Sequence, residues 1–180
     1  TRFSRDWSSD VCSSDLDAMD RELTEEIAEG TRQVYETPVE IAEEIADLPR
    51  RGYNAERRQY LANALISALP ASAPGEKTLG ITDADLYAQD LNFVFGQAHF
   101  PGDRAVMSIA RLREEFWSNE PNRDLLIDRA VKEAVHELGH TLGLQHCDNP
   151  KCVMHFSNGL AHTDRKGRGF CDDCRARLEG

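Results

Sequence analysis

The sequence lacks any apolar run approaching the ~20 residues that a membrane-spanning helix requires, and membrane insertion of that kind is excluded. It is short of positive charge: 21 Lys and Arg stand against 32 Asp and Glu, a formal net charge of −11. Nucleic acids and anionic lipids are held by a basic face, so broad electrostatic binding to either is also excluded. No basic start is followed by an apolar stretch and a small-residue cleavage site, and a cytoplasmic location is the expectation. An even, dispersed cysteine framework is missing too. The five cysteines are Cys12, Cys147, Cys152, Cys171 and Cys174, four of them within the last 34 residues, a distribution that suits reduced, metal-binding thiols. What remains, 180 residues with 40% hydrophobic and 29% charged side chains, is an ordinary globular composition, long enough for one domain with a genuine core.

The start of the chain is unlike the rest. Arg5 to Leu16 is RDWSSDVCSSDL, Ser- and Asp-rich and without amphipathic period, and Asp6 to Asp15 resembles the translation of a common short-read sequencing adapter. Residues 1–16 are therefore expected to be a disordered non-native artefact, with a single domain over 17–180 whose native start is truncated. A genuine disordered Ser/Asp tail is the alternative. On either reading Cys12 is not a ligand.

Further on, Leu23, Ile27 and Val34 predict a helix over 21–35, and Pro38 to Ile45 a short strand. Tyr60, Leu61, Leu65, Ile66 and Leu69 share one helical face, which predicts a helix over 54–69 capped by Asn54. Pro70 to Lys77 is a loop. The β-branched and aromatic content of 78–82, 91–98 and 104–112 predicts strands, the last two antiparallel neighbours. The run from Arg123 predicts a helix with Ile127, Val131, Ala134, Leu138 and Leu142 as its apolar stripe, ended by Gly143.

That helix carries HELGHTLGLQH: His136, Glu137, His140, Gly143 and His146 in the pattern HExxHxxGxxH. Residues four apart stand one above the other on a helix, so His136 and His140 can share one zinc ion. Gly143 can adopt the left-handed conformation that turns the chain and brings His146 back as third ligand. Three neutral ligands leave an open position where a bound water has its pKa lowered towards ~7. Glu137 is placed to take that water's proton and to return it to a leaving amine.

HCDNPKCVM and FCDDC follow. Cys147, Cys152, Cys171 and Cys174 have the spacing of a four-thiolate structural zinc, which would tie the C-terminal segment to the active-site segment. Two disulfides or four free thiols are the alternatives. His99, His155 and His162 are expected outside the metal sites, because the ligand sets are complete without them. Asp83 and Asp85 suit turn chemistry rather than an acid/base dyad.

The combination HExxHxxGxxHCxxxxCxM with a later CxxC resembles the archaemetzincins, a family of metzincin-type zinc peptidases. The likeness extends to ITDADLY (Ile81 to Tyr87), NFVFGQA (Asn92 to Ala98), Arg111 with Leu112, and FSN (Phe156 to Asn158). The segment between Met154 and Cys171 is one residue shorter than the family pattern. The resemblance implies an α+β zincin-like fold, a twisted mixed β-sheet packed on an active-site helix with a zinc-stapled C-terminal segment. It makes Met154 the Met-turn residue beneath the metal; an ordinary core methionine is the alternative. It also implies that an edge strand pairs with an extended peptide, either 92–98 or 104–112.

The expected function is peptide-bond hydrolysis by a zinc-bound water activated by Glu137, with two zinc ions per chain, a peptide or protein substrate, no nucleic-acid or membrane partner, and a monomeric state. A zinc-stabilised peptide-binding module with little turnover, or a zinc hydrolase of a non-peptide amide or ester, are the alternatives.

Overall fold

The strand β5 (Thr78–Thr82) is buried along its whole length, as only a strand covered on both faces can be. In this computed structural model, which describes residues 2–5, 21–44 and 48–179, β5 is the middle of a five-stranded sheet. The other members are β1 (Arg2–Arg5), β2 (Glu40–Glu44), β7 (Gly96–Ala98) and β8 (Arg104–Ser108), in the order β2-β1-β5-β8-β7. Pairing is parallel except at β7, which runs antiparallel to β8 through Gly96↔Met107, Gln97↔Val106 and Ala98↔Ala105. A smaller sheet joins β3 (Tyr53–Asn54), β4 (Gln59–Leu61) and β6 (Leu86–Tyr87).

The alternation of side chains along β5 and β8 divides the core. Leu79, Ile81, Ala105 and Met107 face α1 (Arg21–Tyr35) and α3 (Arg123–Thr141), where they meet Leu23, Ile27, Ala130, Ala134 and Leu138. Val106 faces α2 (Ala62–Ala68), and meets Leu65, Ile66 and Leu86. Beneath α3, Val131 and Val135 pack on Leu144, Val153, Met154, Cys152 and Cys174. This brings in the C-terminal segment with its two helices, α4 (Leu160–Arg165) and α5 (Asp172–Glu179).

The helix over 21–35 falls where its spacing places it, and the strand over 78–82 where its β-branched content does. The helix over 54–69 does not: only 62–68 is helical. Asn54 is no cap; its Oδ1 accepts from the N–H of Arg57 in a turn, at 3.1 Å. Tyr60 and Leu61 instead pair with Leu86 and Tyr87, a tertiary ladder that overrides the helical spacing. Of 91–98 only Gly96–Ala98 is strand, preceded by an isolated bridge from Val94 to Leu86. Of 104–112, the part after Ser108 is a 3-10 turn over Ala110–Leu112. Within the expected artefact over residues 1–16, the structure describes Arg2–Arg5, which forms β1. Its backbone lies parallel between β2 and β5 and satisfies N–H and C=O groups that both neighbours would otherwise leave unpaired. Residues 6–20, Cys12 among them, lie outside the described residues.

Candidate active site and candidate second metal centre

Helix α3 begins at Asn122, whose side chain accepts from the N–H of Leu125 at 3.0 Å, satisfying one of the free donors of the first turn. It ends at a glycine that the turn requires. Gly143 has φ of +91°, Leu144 N donates to Gly139 O and Gly143 N donates to His140 O, each at 3.0 Å. This is the paired bonding of a helix stopped by a left-handed residue. The chain therefore doubles back, and His146 returns to the face that carries His136 and His140.

The three imidazoles converge. His140 Nε2 lies 3.1 Å from His136 Nε2 and 3.3 Å from His146 Nε2. The far nitrogens of two rings are held by backbone: His136 Nδ1 donates to Val153 O at 2.8 Å, and His140 Nδ1 donates to Leu144 O at 2.7 Å. This fixes the tautomer in which Nε2 carries the lone pair. Burial, reinforced for His136 by the charges of Lys166 and His140, lowers the proton affinity of all three rings. Neutral imidazoles with lone pairs facing one point are what a metal ion needs. Two ligands of a tetrahedral zinc with Zn–N of about 2.0–2.1 Å stand about 3.3 Å apart, so the donor set fits.

The histidines form the floor of a cavity of about 600 Å³ with apolar walls contributed by Phe93, Phe95, Phe100 and Phe156. Glu137 and Glu133 also line it. Glu137 is buried against the edge strand, close enough to Gly96 that no side chain fits between them. Burial, and then the negative charge of Glu133, raise its proton affinity well above that of an ordinary carboxylate, with Lys166 opposing. The nearby Glu133 is itself paired with the fully buried Lys166, Nζ to Oε1 at 2.9 Å. Glu133 is one helical turn before Glu137, a signal present in the sequence; nothing there singled out Lys166.

Met154 is fully buried under the helix. Its Sδ occupies the space that a Cβ on Gly139 would need, at 2.5 Å, and its carbonyl accepts from Cys147 N at 3.0 Å. The turn that carries Met154 thus joins the histidine and cysteine clusters: Val153 O orients His136 on one side, and Met154 O fixes Cys147 on the other.

In that second centre the four Sγ atoms of Cys147, Cys152, Cys171 and Cys174 lie within 4.8 Å of one another, and none forms a disulfide. Cys147 and Cys171 are 3.7 Å apart, close to the separation of about 3.8 Å for two thiolates on a tetrahedral zinc with Zn–S of about 2.3 Å. The backbone N–H of Cys174 lowers the proton affinity of Cys171, whereas burial raises that of Cys152 and Cys174. Cys171 N donates to Cys152 Sγ at 3.3 Å. The cluster fits a closed structural ion.

The remaining candidates stay outside both clusters. His155 Nδ1 is bonded to Cys147 O at 2.9 Å, and His162 Nδ1 accepts from Asn158 N at 3.1 Å; His99 N donates to Arg104 O at 3.0 Å. Asp85 is more than a turn residue: it forms an ion pair with Arg111. The edge strand left open by the sequence is β7, with β8 inside the sheet.

A mixed sheet whose edge lies over a helix bearing HExxHxxGxxH, with a methionine turn beneath, defines a zinc metallopeptidase of metzincin type. Residues 14–180 match the model of Peptidase family M54, and the chain belongs to that family, the archaemetzincins. It is 46% identical over 133 residues to the archaemetzincin of Methanocaldococcus jannaschii, covering 74% of this chain and 73% of that one. With the archaemetzincin of Methanopyrus kandleri it shares 45% over 146 residues, 81% and 80% of the two chains. Among solved structures, archaemetzincin from Archaeoglobus fulgidus in complex with malonate superposes with a TM-score of 0.80 at 36% identity, covering 98% of each chain. A zinc-dependent peptidase from Methanocorpusculum labreanum gives 0.83 at 32%, covering 99% of this chain and 100% of that one.

Proposed function

We propose that this chain hydrolyses peptide bonds at the His136–His140–His146 centre with Glu137 as general base, and that it holds two zinc ions, the second on Cys147, Cys152, Cys171 and Cys174. The observation that carries the reading is the convergence of three Nε2 lone pairs, 3.1 and 3.3 Å apart, on the floor of a cavity that Glu137 also lines. A zinc ion held by His136, His140 and His146 would supply a Lewis acid for the scissile carbonyl and lower the pKa of a water. Glu137 takes the proton of the attacking water and delivers it to the departing nitrogen. The open edge of β7 offers backbone N–H and C=O groups to an extended peptide, which lays the scissile bond over the histidines. The reduced thiols of the second cluster support a cytoplasmic location.

The test is cleavage of a mixed peptide library read by mass spectrometry, with zinc-loaded chain beside its Glu137→Ala variant. Cleavage only with Glu137 present supports the reading, and the cut positions separate internal cleavage from removal of N-terminal residues. Absence of cleavage with both sites loaded overturns it in favour of a peptide-binding module, and turnover of small acyl substrates alone in favour of a non-peptide hydrolase.

A further inference from the structure

A polar clasp ties the smaller sheet and Arg111 to the segment 91–93. Arg111 sends Nε and Nη2 to the two carboxylate oxygens of Asp85 at 2.7 and 2.8 Å, the bidentate pairing in which arginine outperforms lysine. Asp85 Oδ2 also accepts from Gln59 Nε2 at 2.9 Å, and that amide reaches Asn92 O at 3.1 Å. Gln59 Oε1 accepts from Arg57 Nε at 2.8 Å, while Arg57 Nη2 donates to Leu91 O at 3.1 Å and to Asn92 O at 2.6 Å. The Arg111 guanidinium lies over the rings of Phe93 and Phe116, 4.3 and 4.7 Å from their centres.

These contacts end on the carbonyls of Leu91 and Asn92 and on the ring of Phe93, in the segment that leads into β7. Leu91, Phe93, Val94 and Phe95 line the cavity, whereas Arg57, Gln59, Asp85 and Arg111 do not. The segment itself is poorly laddered: before Gly96 its sheet pairing is the single bridge from Val94 to Leu86. Gln59 is buried, and the Asp85 and Arg111 side chains are 16% and 19% exposed, so the pair is only weakly screened by solvent.

We propose that Asp85 and Arg111, acting through Gln59 and Arg57, are positioning residues that hold 91–95 as a fixed apolar wall, and that this wall selects peptides with a bulky apolar side chain beside the scissile bond. The proposal rests on the peptidase reading above. Apolar lining and a preset backbone together favour such a side chain, because the ordering cost of the wall is met on folding rather than on binding.

The experiment uses zinc-loaded Glu137→Ala chain, so that binding is read without turnover, alone and with Asp85→Asn, Arg111→Met or both. Two fluorescent peptides that differ by Phe or Gly beside the cut site are titrated by anisotropy, and amide hydrogen exchange is followed over 91–98. Each single change should weaken the Phe peptide about tenfold and the Gly peptide less than about twofold, with the double variant no worse than either single one. Exchange over 94–98 should accelerate. Arg57→Ala, at an exposed residue, should act in the same direction and serves where the inner variants fail to fold. In the active chain the same changes should raise KM for the Phe peptide and leave kcat. Equal weakening of both peptides, additive single effects or unchanged exchange overturns the proposal. If the parent chain binds no peptide, the peptidase reading falls, and the exchange rates alone decide whether the clasp holds the wall.

Discussion

Gly96 on the edge strand and Glu137 on the active-site helix are in direct contact: a Cβ built on Gly96 would stand 2.5 Å from Cγ and 2.6 Å from Oε1 of Glu137. On the proposed reading, the edge offered to the peptide also sets the carboxylate that acts as base. Gly96→Ala forces either the strand or Glu137 to move. A displacement of about 1 Å in a reacting group costs about a hundredfold in rate, so kcat should fall by that order. Zinc content, measured by atomic absorption, should be unchanged, since Glu137 is not among the converging ligand atoms. Wild-type kcat in Gly96→Ala would show that the contact does not set the base.

The cysteine cluster should act on stability and leave the histidine site to load. Cys171→Ser is expected to reduce zinc content by one ion per chain and to lower Tm by about 5–15 °C, because metal binding free energy is also folding free energy. Calorimetry with metal analysis checks both. Unchanged zinc and Tm would refute the structural role.

The buried pair of Lys166 and Glu133, 0% and 3% exposed at the side chain, ties the C-terminal segment to the helix turn before Glu137. Removing one partner strands a charge in the interior. Lys166→Met alone should cost about 3–5 kcal/mol in urea unfolding, and Lys166→Met with Glu133→Leu much less. If the double variant is as unstable as the single one, packing rather than charge compensation explains the site.

Asp128 supplies a pH dependence of folding. Burial raises its proton affinity, but the hydrogen bonds from Lys132 and Arg168 outweigh it, and the net value is lowered. A carboxyl lowered in the folded state adds stability above its unfolded value of about 3.9, and this is lost as pH falls through the folded value. Asp128→Asn should therefore melt below wild type at neutral pH, and the gap should close as the medium is acidified. A gap of constant size across that range would show that charge pairing at Asp128 adds nothing.

The metal-ligand chemistry was open to inspection in the sequence because it is local. His136 and His140 stand four apart on a helix whose apolar stripe is visible, and Gly143 announces the turn that returns His146. Cys171 and Cys174 share the same economy of spacing. Nothing local distinguishes the segment 54–61, where a helical period gives way to pairing of Tyr60 and Leu61 with Leu86 and Tyr87; partners more than twenty residues away decide it. The same holds for the choice of β7 over β8 as the open edge, which depends on strand order, for Lys166 reaching Glu133, and for Asp85 reaching Arg111. Sequence spacing by itself determined which atoms can meet on one turn of helix. Tertiary structure decided which strand edge, which buried cation and which ion pair surround them, because long-range pairing and desolvation are set by what packs against a residue and not by its neighbours in the chain.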